Sequence, residues 1–180
     1  VIPWDRLGKR HEAFSYLYAE LPQNCFIVET GSIRTLGNWE GDGQSTIVWN
    51  AIAENRGGSV LTIDIDQIGA ELVAELGLSH TTAITSDSLL ILPNIITAVD
   101  FLYLDSFDVD FDLPQPAADH HLRELQAAAH CLKPGAIVAV DDNQESGGKG
   151  SEVASYFAAL NVPEIICGYV RAWRIPDGNH

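Results

Sequence analysis

The chain has 180 residues, enough for one domain with its own core, and its 46% apolar and 19% charged content is that of a globular rather than a disordered protein. Against 10 Lys and Arg stand 25 Asp and Glu, a formal charge of −15 that repels phosphate backbones and anionic membranes, so neither nucleic acid nor a bilayer is an expected partner. No apolar run approaches the roughly 20 residues of a membrane span, and the first residues, with Asp5, Arg6, Lys9 and Arg10, lack a signal-peptide core, which reads as a soluble, cytoplasmic protein.

Apolar spacing predicts a helix over Leu7 to Leu21, stopped by Pro22, that covers the core formed by residues 23–180. Trp4 and His11 either line a substrate mouth or merely pack or sit in solvent. Cys25 to Val28 reads as a first strand ending at Glu29 and Gly31, followed by a polar loop and a second glycine pair, Gly41 and Gly43. A helix over Ser45 to Arg56 stops at Gly57-Gly58, and Ser59 to Ile63 is a strand ending at Asp64. The unit then repeats. Helix Gln67 to Leu76, strand Thr81 to Thr85, helix Ser88 to Ile96, strand Val99 to Leu104, helix Ala117 to Leu132 and strand Ala136 to Val140 follow one another, with Lys133-Pro134-Gly135 stopping the last helix. Continuous apolar strands alternating with helices predict an α/β doubly wound sheet of seven mostly parallel strands. Glu164 to Cys167 and Tyr169 to Ile175 are separated only by Gly168, too close for a crossover, so they pair as an antiparallel hairpin at the end of the chain. Cys25, Cys131 and Cys167 have apolar neighbours and no CxxC or Cys/His spacing, which reads as buried reduced thiols.

In such a sheet, ligands bind at the carboxyl ends of the strands, and there this sequence places Glu29, Asp64, Asp87, Asp105 and Asp141-Asp142. Asp64 can accept both hydroxyls of a ribose, or stand as a solvated loop acid. Asp87 can accept from an adenine amino group, although Ser86 or Asp87 can equally cap the next helix. Asp105 and Asp141-Asp142-Asn143 end strands that should be neighbours, so their oxygens either converge on a hard cation, Mg²⁺ or Ca²⁺, or belong to two unrelated acidic loops. Phe107 and Val109 exclude an EF-hand starting at Asp105, and Asn143 stands where a Walker loop ending at Gly148 needs glycine.

The ordered set VETG (Val28 to Gly31), TIDID (Thr62 to Asp66), TSDS (Thr85 to Ser88), YLDSFD (Tyr103 to Asp108) and LKPGAIVAVDDN (Leu132 to Asn143) resembles the class I S-adenosylmethionine-dependent methyltransferases from about Cys25 to Ile175. Within them it is most similar to the metal-dependent O-methyltransferases of the catechol and of the sugar or macrolide types. The resemblance implies a Rossmann-like methyltransferase fold and S-adenosylmethionine as cofactor. Glu29 and Gly31 would lie near the methionine part, Ser45 near its carboxylate, Asp64 on ribose and Ser86 and Asp87 by adenine, with Ser32, Gly43 and Asp105 also beside the cofactor. It implies Mg²⁺ (or Ca²⁺) on Asp105, Asp141 and Asp142, with Asn143 as an alternative ligand, and a small-molecule acceptor; a homodimer is possible.

Two features depart from that pattern: the glycine loop is stretched by Ser32 to Glu40, and no lysine follows Asp105 to serve as base. Asp108, His120 and His121 are the base candidates, with Lys149 of the mobile-looking Gly147-Gly148-Lys149-Gly150 loop as a fourth and weaker one. Two other functions fit the same sheet. One is a cofactor-binding module without turnover; the other, disfavoured because no GxGxxG follows the first strand, is a nicotinamide-dependent oxidoreductase.

Overall fold

The apolar runs of the sequence become parallel neighbours in one sheet. In the computed structural model, which describes residues 2–39, 41, 44–144 and 147–177, they are β1 (Phe26–Thr30), β2 (Ser59–Asp64), β3 (Thr81–Thr85), β4 (Val99–Leu104) and β5 (Leu132–Val140). A separate ribbon of two-residue strands follows, β6 (Asn143–Gln144) with β7 (Gly147–Gly148). The chain ends with β8 (Glu164–Ile166) and β9 (Arg171–Arg174). The sheet has seven strands in the order β3-β2-β1-β4-β5-β9-β8, and β9 runs antiparallel to both β5 and β8. The antiparallel hairpin foreseen at the end of the chain is therefore present, with β8 as the outer edge.

Side chains alternate across each strand, and both sets are apolar because helices cover both faces. On one face Ile27, Phe101, Tyr103, Ile137 and Ala139 pack under α1 (His11–Glu20) and α2 (Ser45–Arg56). α3 (Ile68–Glu75) lies against β3, and the single turn α4 (Ser88–Ile91) opens the segment before β4. On the other face Val28, Leu102, Leu104, Val138 and Val140 pack under α5 (Gln115–Ala128) and α6 (Ser151–Ala159). The first face is anchored by aromatic rings: Trp49 lies 4.4 Å from Phe14 and 5.0 Å from each of Phe101 and Tyr103, centroid to centroid, and all four are fully buried. Burial of each such side chain stabilises the fold by roughly 2–3 kcal/mol.

Several elements differ from their predicted extents. The first helix begins at His11, after two 3₁₀ turns over Trp4–Arg6 and Gly8–Arg10, and Trp4 packs against Tyr18 at 5.6 Å between centroids. The helix expected over Ser88 to Ile96 is one α turn followed by a 3₁₀ turn, Leu92–Asn94, because Pro93 has no N–H and its ring would clash with a preceding carbonyl. Lys133-Pro134-Gly135 lies inside β5, where the register jumps from Val99↔Leu132 to Phe101↔Ile137, a bulge in which Gly135 takes φ +79°. α6 has no counterpart in the sequence reading. Cys25 and Cys131 are buried as expected, but Cys167 is exposed, since it falls in the turn after the edge strand. Among the described residues, no helix is long and apolar enough to cross a membrane.

Candidate active site

The parallel register brings the carboxyl ends of the strands level: Thr30 pairs with Ile63 and Leu104, and Leu104 with Val140. Residues just past those positions therefore share one edge. Gly31 takes φ +83°, and a Cβ there would lie 2.5 Å from the backbone oxygen of Asp105, so the ends of β1 and β4 approach as closely as they do only because this residue is glycine.

A cavity of about 270 Å³ opens at this edge, lined by Asp64, Ser86, Asp87, Ser106, Phe107 and His120 among others. A narrow cleft of about 30 Å³ shares Asp64 and Ser106 with it and continues past Gly31, Ser32, Arg34 and Asp105 to Asp142 and Lys149. Of the residues singled out in the sequence, Ser86, Asp87 and His120 border the wide part, Gly31, Ser32, Asp105 and Asp142 the narrow part, and Asp64 both. Gly43 lies outside the described residues.

Asp64 also braces the loop that follows β1: its Oδ2 accepts from the Ser32 N–H at 2.8 Å, and its Oδ1 from the Asp66 N–H at 2.9 Å. Asp87 caps α4, accepting from the Leu89 N–H at 2.9 Å, and still borders the cavity. Glu29 and Ser45 line neither space. The Glu29 carboxyl is fully buried beneath the edge, where Ser45, Thr46 and Thr62 donate their hydroxyls to it at 2.6, 2.7 and 2.7 Å. Burial pushes its pKa up to about 7 against those three donors.

A second buried carboxylate, one the sequence reading did not single out, underlies the wide cavity. Glu124 of α5 accepts from Thr30, Ser88 and Ser106 hydroxyls at 3.1, 2.5 and 2.7 Å, and His120 Nε2 stands 3.3 Å away. Burial works to raise its pKa, but His120, His121 and the Ser88 hydroxyl outweigh it and hold the carboxylate below the usual range. The signal was readable as a His120/Glu124 pair four residues apart on a predicted helix. His121 borders neither space: it is fully buried, its Nδ1 pairs with the Ala117 carbonyl at 2.6 Å, its Nε2 lies 3.9 Å from Glu124 Oε2, and burial drives its pKa down to about 4. Asp108 is held outside both spaces by Arg34 at 2.9 and 3.2 Å, and those charged bonds lower its pKa.

The acidic groups expected to bind a metal do converge, but around side-chain cations. Lys149 Nζ lies 2.5 Å from Asp105 Oδ1 and 2.9 Å from Asp142 Oδ2. Arg10 donates to Asp141 Oδ2 at 2.6 Å and approaches Asp142 Oδ1 at 3.5 Å, while the Tyr103 hydroxyl donates to the same Asp141 oxygen at 2.7 Å. Tyr169 donates its hydroxyl to Asp142 Oδ1. Asn143 offers nothing to an ion: its Nδ2 donates to the Val140 and Asp141 carbonyls, and its Oδ1 accepts from the Gly150 N–H. Among the described residues, no group of three or more His, Cys, Asp or Glu is arranged to hold a metal. This donor set does not fit Mg²⁺ or Ca²⁺, because two buried cations already stand where the ion would neutralise the acids.

The charges sort accordingly. Burial pushes Asp105 up to about 8, against the pull of Lys149 and with the help of Asp141 and Asp142. Asp141 is raised by burial, against Arg10. For Asp142 burial is outweighed by Lys149 and the Tyr169 hydroxyl, and its pKa falls. Lys149 is raised, burial notwithstanding, by Asp105 and Asp142, so it carries its proton throughout the neutral range.

No family model matches the chain, and neither does any curated protein. Solved structures do. The O-methyltransferase NovP superposes with a TM-score of 0.67 at 15% identity, over 94% of this chain and 80% of NovP. The N-methyltransferase NodS from Bradyrhizobium japonicum, in complex with S-adenosyl-L-homocysteine, gives 0.63 at 12%, over 98% and 89%. An rRNA methylase from Streptococcus thermophilus gives 0.59 at 12%, over 94% and 97%. The acceptors named for these proteins differ while the sheet is shared, so the likeness establishes the fold: a methyltransferase-type Rossmann-like sheet with an antiparallel end.

Proposed function

We propose that the protein transfers a methyl group from S-adenosylmethionine to an oxygen of a small-molecule acceptor. The observation that carries this reading is the two-part cavity at the carboxyl edge, wide beside Asp64, Ser86 and Asp87 and narrow beside Gly31 and Asp105. It gives a nucleoside room next to a ribose-accepting carboxylate and leaves a confined passage for a reacting group, on a fold shared with methyltransferases. Asp64 would hold the ribose hydroxyls, and Ser86 and Asp87 the adenine edge.

When bound, the cofactor supplies a methyl already activated by its sulfonium. What remains for the protein is to align the acceptor oxygen and take its proton. The proton of the acceptor oxygen would go to the Asp105 carboxylate. Asp105 borders the narrow cleft, and because burial raises its pKa to about 8 it takes the proton only in its ionised form, a share that grows as pH rises toward 8. Asp108 is paired outside the cleft and Lys149 is charged, which leaves His120 on the wide part as the alternative. A formal charge of −15 favours a small acceptor over RNA.

Calorimetric titration with S-adenosylhomocysteine, and with NAD as comparison, tests the reading on the wild type and on Asp64→Ala. Loss of the charged bonds to ribose should weaken binding of S-adenosylhomocysteine by roughly 10- to 100-fold in the variant. Unchanged affinity there, or tighter binding of NAD, would overturn it. Labelled methyl transfer to a panel of phenols, sugars and RNA then separates an enzyme from a binding module and names the acceptor class.

A further inference from the structure

We propose that Lys149 is the resident cation of the acidic edge, holding Asp105 and Asp142 in place of a divalent ion, and that removing it opens a divalent-cation site. The inference rests on the cluster alone and stands whether or not the methyl-transfer reading does.

Asp105, Asp141 and Asp142 follow β4 and β5, whose register pairs Leu104 with Val140, so the backbone forces three carboxylates together. Like charges in a partly dry cleft need a counter-ion. Two are supplied, from opposite ends of the chain. Arg10 takes Asp141, which is fully buried, and Lys149 takes Asp105 and Asp142 from within, its side chain only 2% exposed. A third, longer approach of Nζ, to the backbone oxygen of Asp105 at 3.4 Å, leaves the ammonium surrounded by oxygen as a small ion would be.

The backbone is shaped to put that lysine there. Asn143 pairs with Gly148 across the β6–β7 ribbon, and Asn143 Oδ1 accepts from the Gly150 N–H at 2.8 Å. A Cβ on Gly148 would meet the Asp142 backbone oxygen at 2.5 Å, and one on Gly150 would meet Asn143 Oδ1 at 2.7 Å. The turn therefore closes tightly enough to deliver Lys149 onto the acids only because glycine stands on either side of it. Unlike an exchangeable ion, this charge is covalently fixed. The acids can stay at the edge of the cleft in a chelating buffer, and Lys149 acts as a positioning residue for Asp105.

The test is a thermal titration of the protein with MgCl₂, CaCl₂ and MnCl₂ at pH 8, each against KCl of equal ionic strength, because a chain of charge −15 is stabilised by screening alone. Wild type should show no shift beyond its KCl control up to 10 mM, a concentration at which roughly millimolar sites fill. Lys149→Met should melt lower in KCl and regain about 3–5 °C at ten times the metal's dissociation constant, the shift growing with the logarithm of metal concentration. Lys149→Arg should keep the wild-type indifference to metal. Asp105→Asn/Lys149→Met, which removes one charge of each sign, should fold and lose the metal response. A metal shift in wild type beyond its KCl control overturns the proposal, as does a folded Lys149→Met that ignores all three ions, or a double variant that still responds. If Lys149→Met folds only with metal present the proposal stands, and if it fails to fold even then, it falls.

Discussion

Glu29 sets two forces against each other in a way that can be weighed. Three hydroxyls donate to its carboxyl, which favours the ionised form, while complete burial favours the neutral one. Burial prevails, raising the group from 4.5 to about 7. The folded protein thus binds this proton more tightly than the unfolded chain does. The resulting stability is fully present below the unfolded value and is lost as pH rises to about 7, and the difference between those limits is roughly 3 kcal/mol. Glu29→Gln fixes the neutral form, and the hydroxyls can turn to meet an amide. Unfolding in guanidinium, followed by the fluorescence of the four tryptophans, should be measured at pH 5, 6, 7 and 8. The stability of the variant minus that of wild type should rise by roughly 2–3 kcal/mol across the series. His121, at about 4, and Asp105, at about 8, titrate in both proteins and cancel in the difference. Parallel pH curves would show that the three hydroxyls keep Glu29 ionised and that burial does not decide its charge.

Gly31→Ala should destabilise by roughly 3–5 kcal/mol, combining the strain of a positive φ with a collision against backbone at the end of β4. Gly37→Ala, at φ +81° with nothing within 4 Å, should cost only about 1 kcal/mol in the same denaturation assay, and equal losses would mean that the approach of β1 to β4 is not tight. Arg10→Met should cost roughly 3–5 kcal/mol at pH 7 by leaving Asp141 buried without its cation. Arg10→Met/Asp141→Asn should recover most of that, and no recovery would place the effect of Arg10 elsewhere.

The strand ends were legible because each apolar run terminates in an acid or glycine, and parallel pairing then levels those ends without further information. That is how Asp64, Ser86, Asp87 and Asp105 came to one edge as expected. The electrostatics of the edge were not legible, because the residues that decide it lie far off in sequence. Arg10 reaches Asp141 across 131 positions from a segment whose spacing announced only a covering helix. Lys149 sat in a glycine loop that reads as mobile, and nothing local shows that its glycines close onto Asp142 and Asn143. Three convergent acids therefore suggested an ion from solution, when the chain carries its own cations. Glu124 escaped notice for the opposite reason, since a carboxylate on an amphipathic helix is ordinarily solvated.

The closure of the edge by Arg10 also bears on how the chain is made. Asp142 is reached from one side by Arg10 and from another by the Tyr169 hydroxyl, and that ring lies under Lys9 and Arg10 at 4.9 and 5.0 Å. The 3₁₀ turn ahead of the first helix and the connection between the last two strands thus clasp the same carboxylate. On the ribosome Arg10 emerges early and has no acid to meet until Asp141 follows it, and the clasp is incomplete until Tyr169 is out. A nascent chain halted between Asp142 and Lys149 would present Asp105, Asp141 and Asp142 with Arg10 but without Lys149, so the acidic edge is least compensated during synthesis.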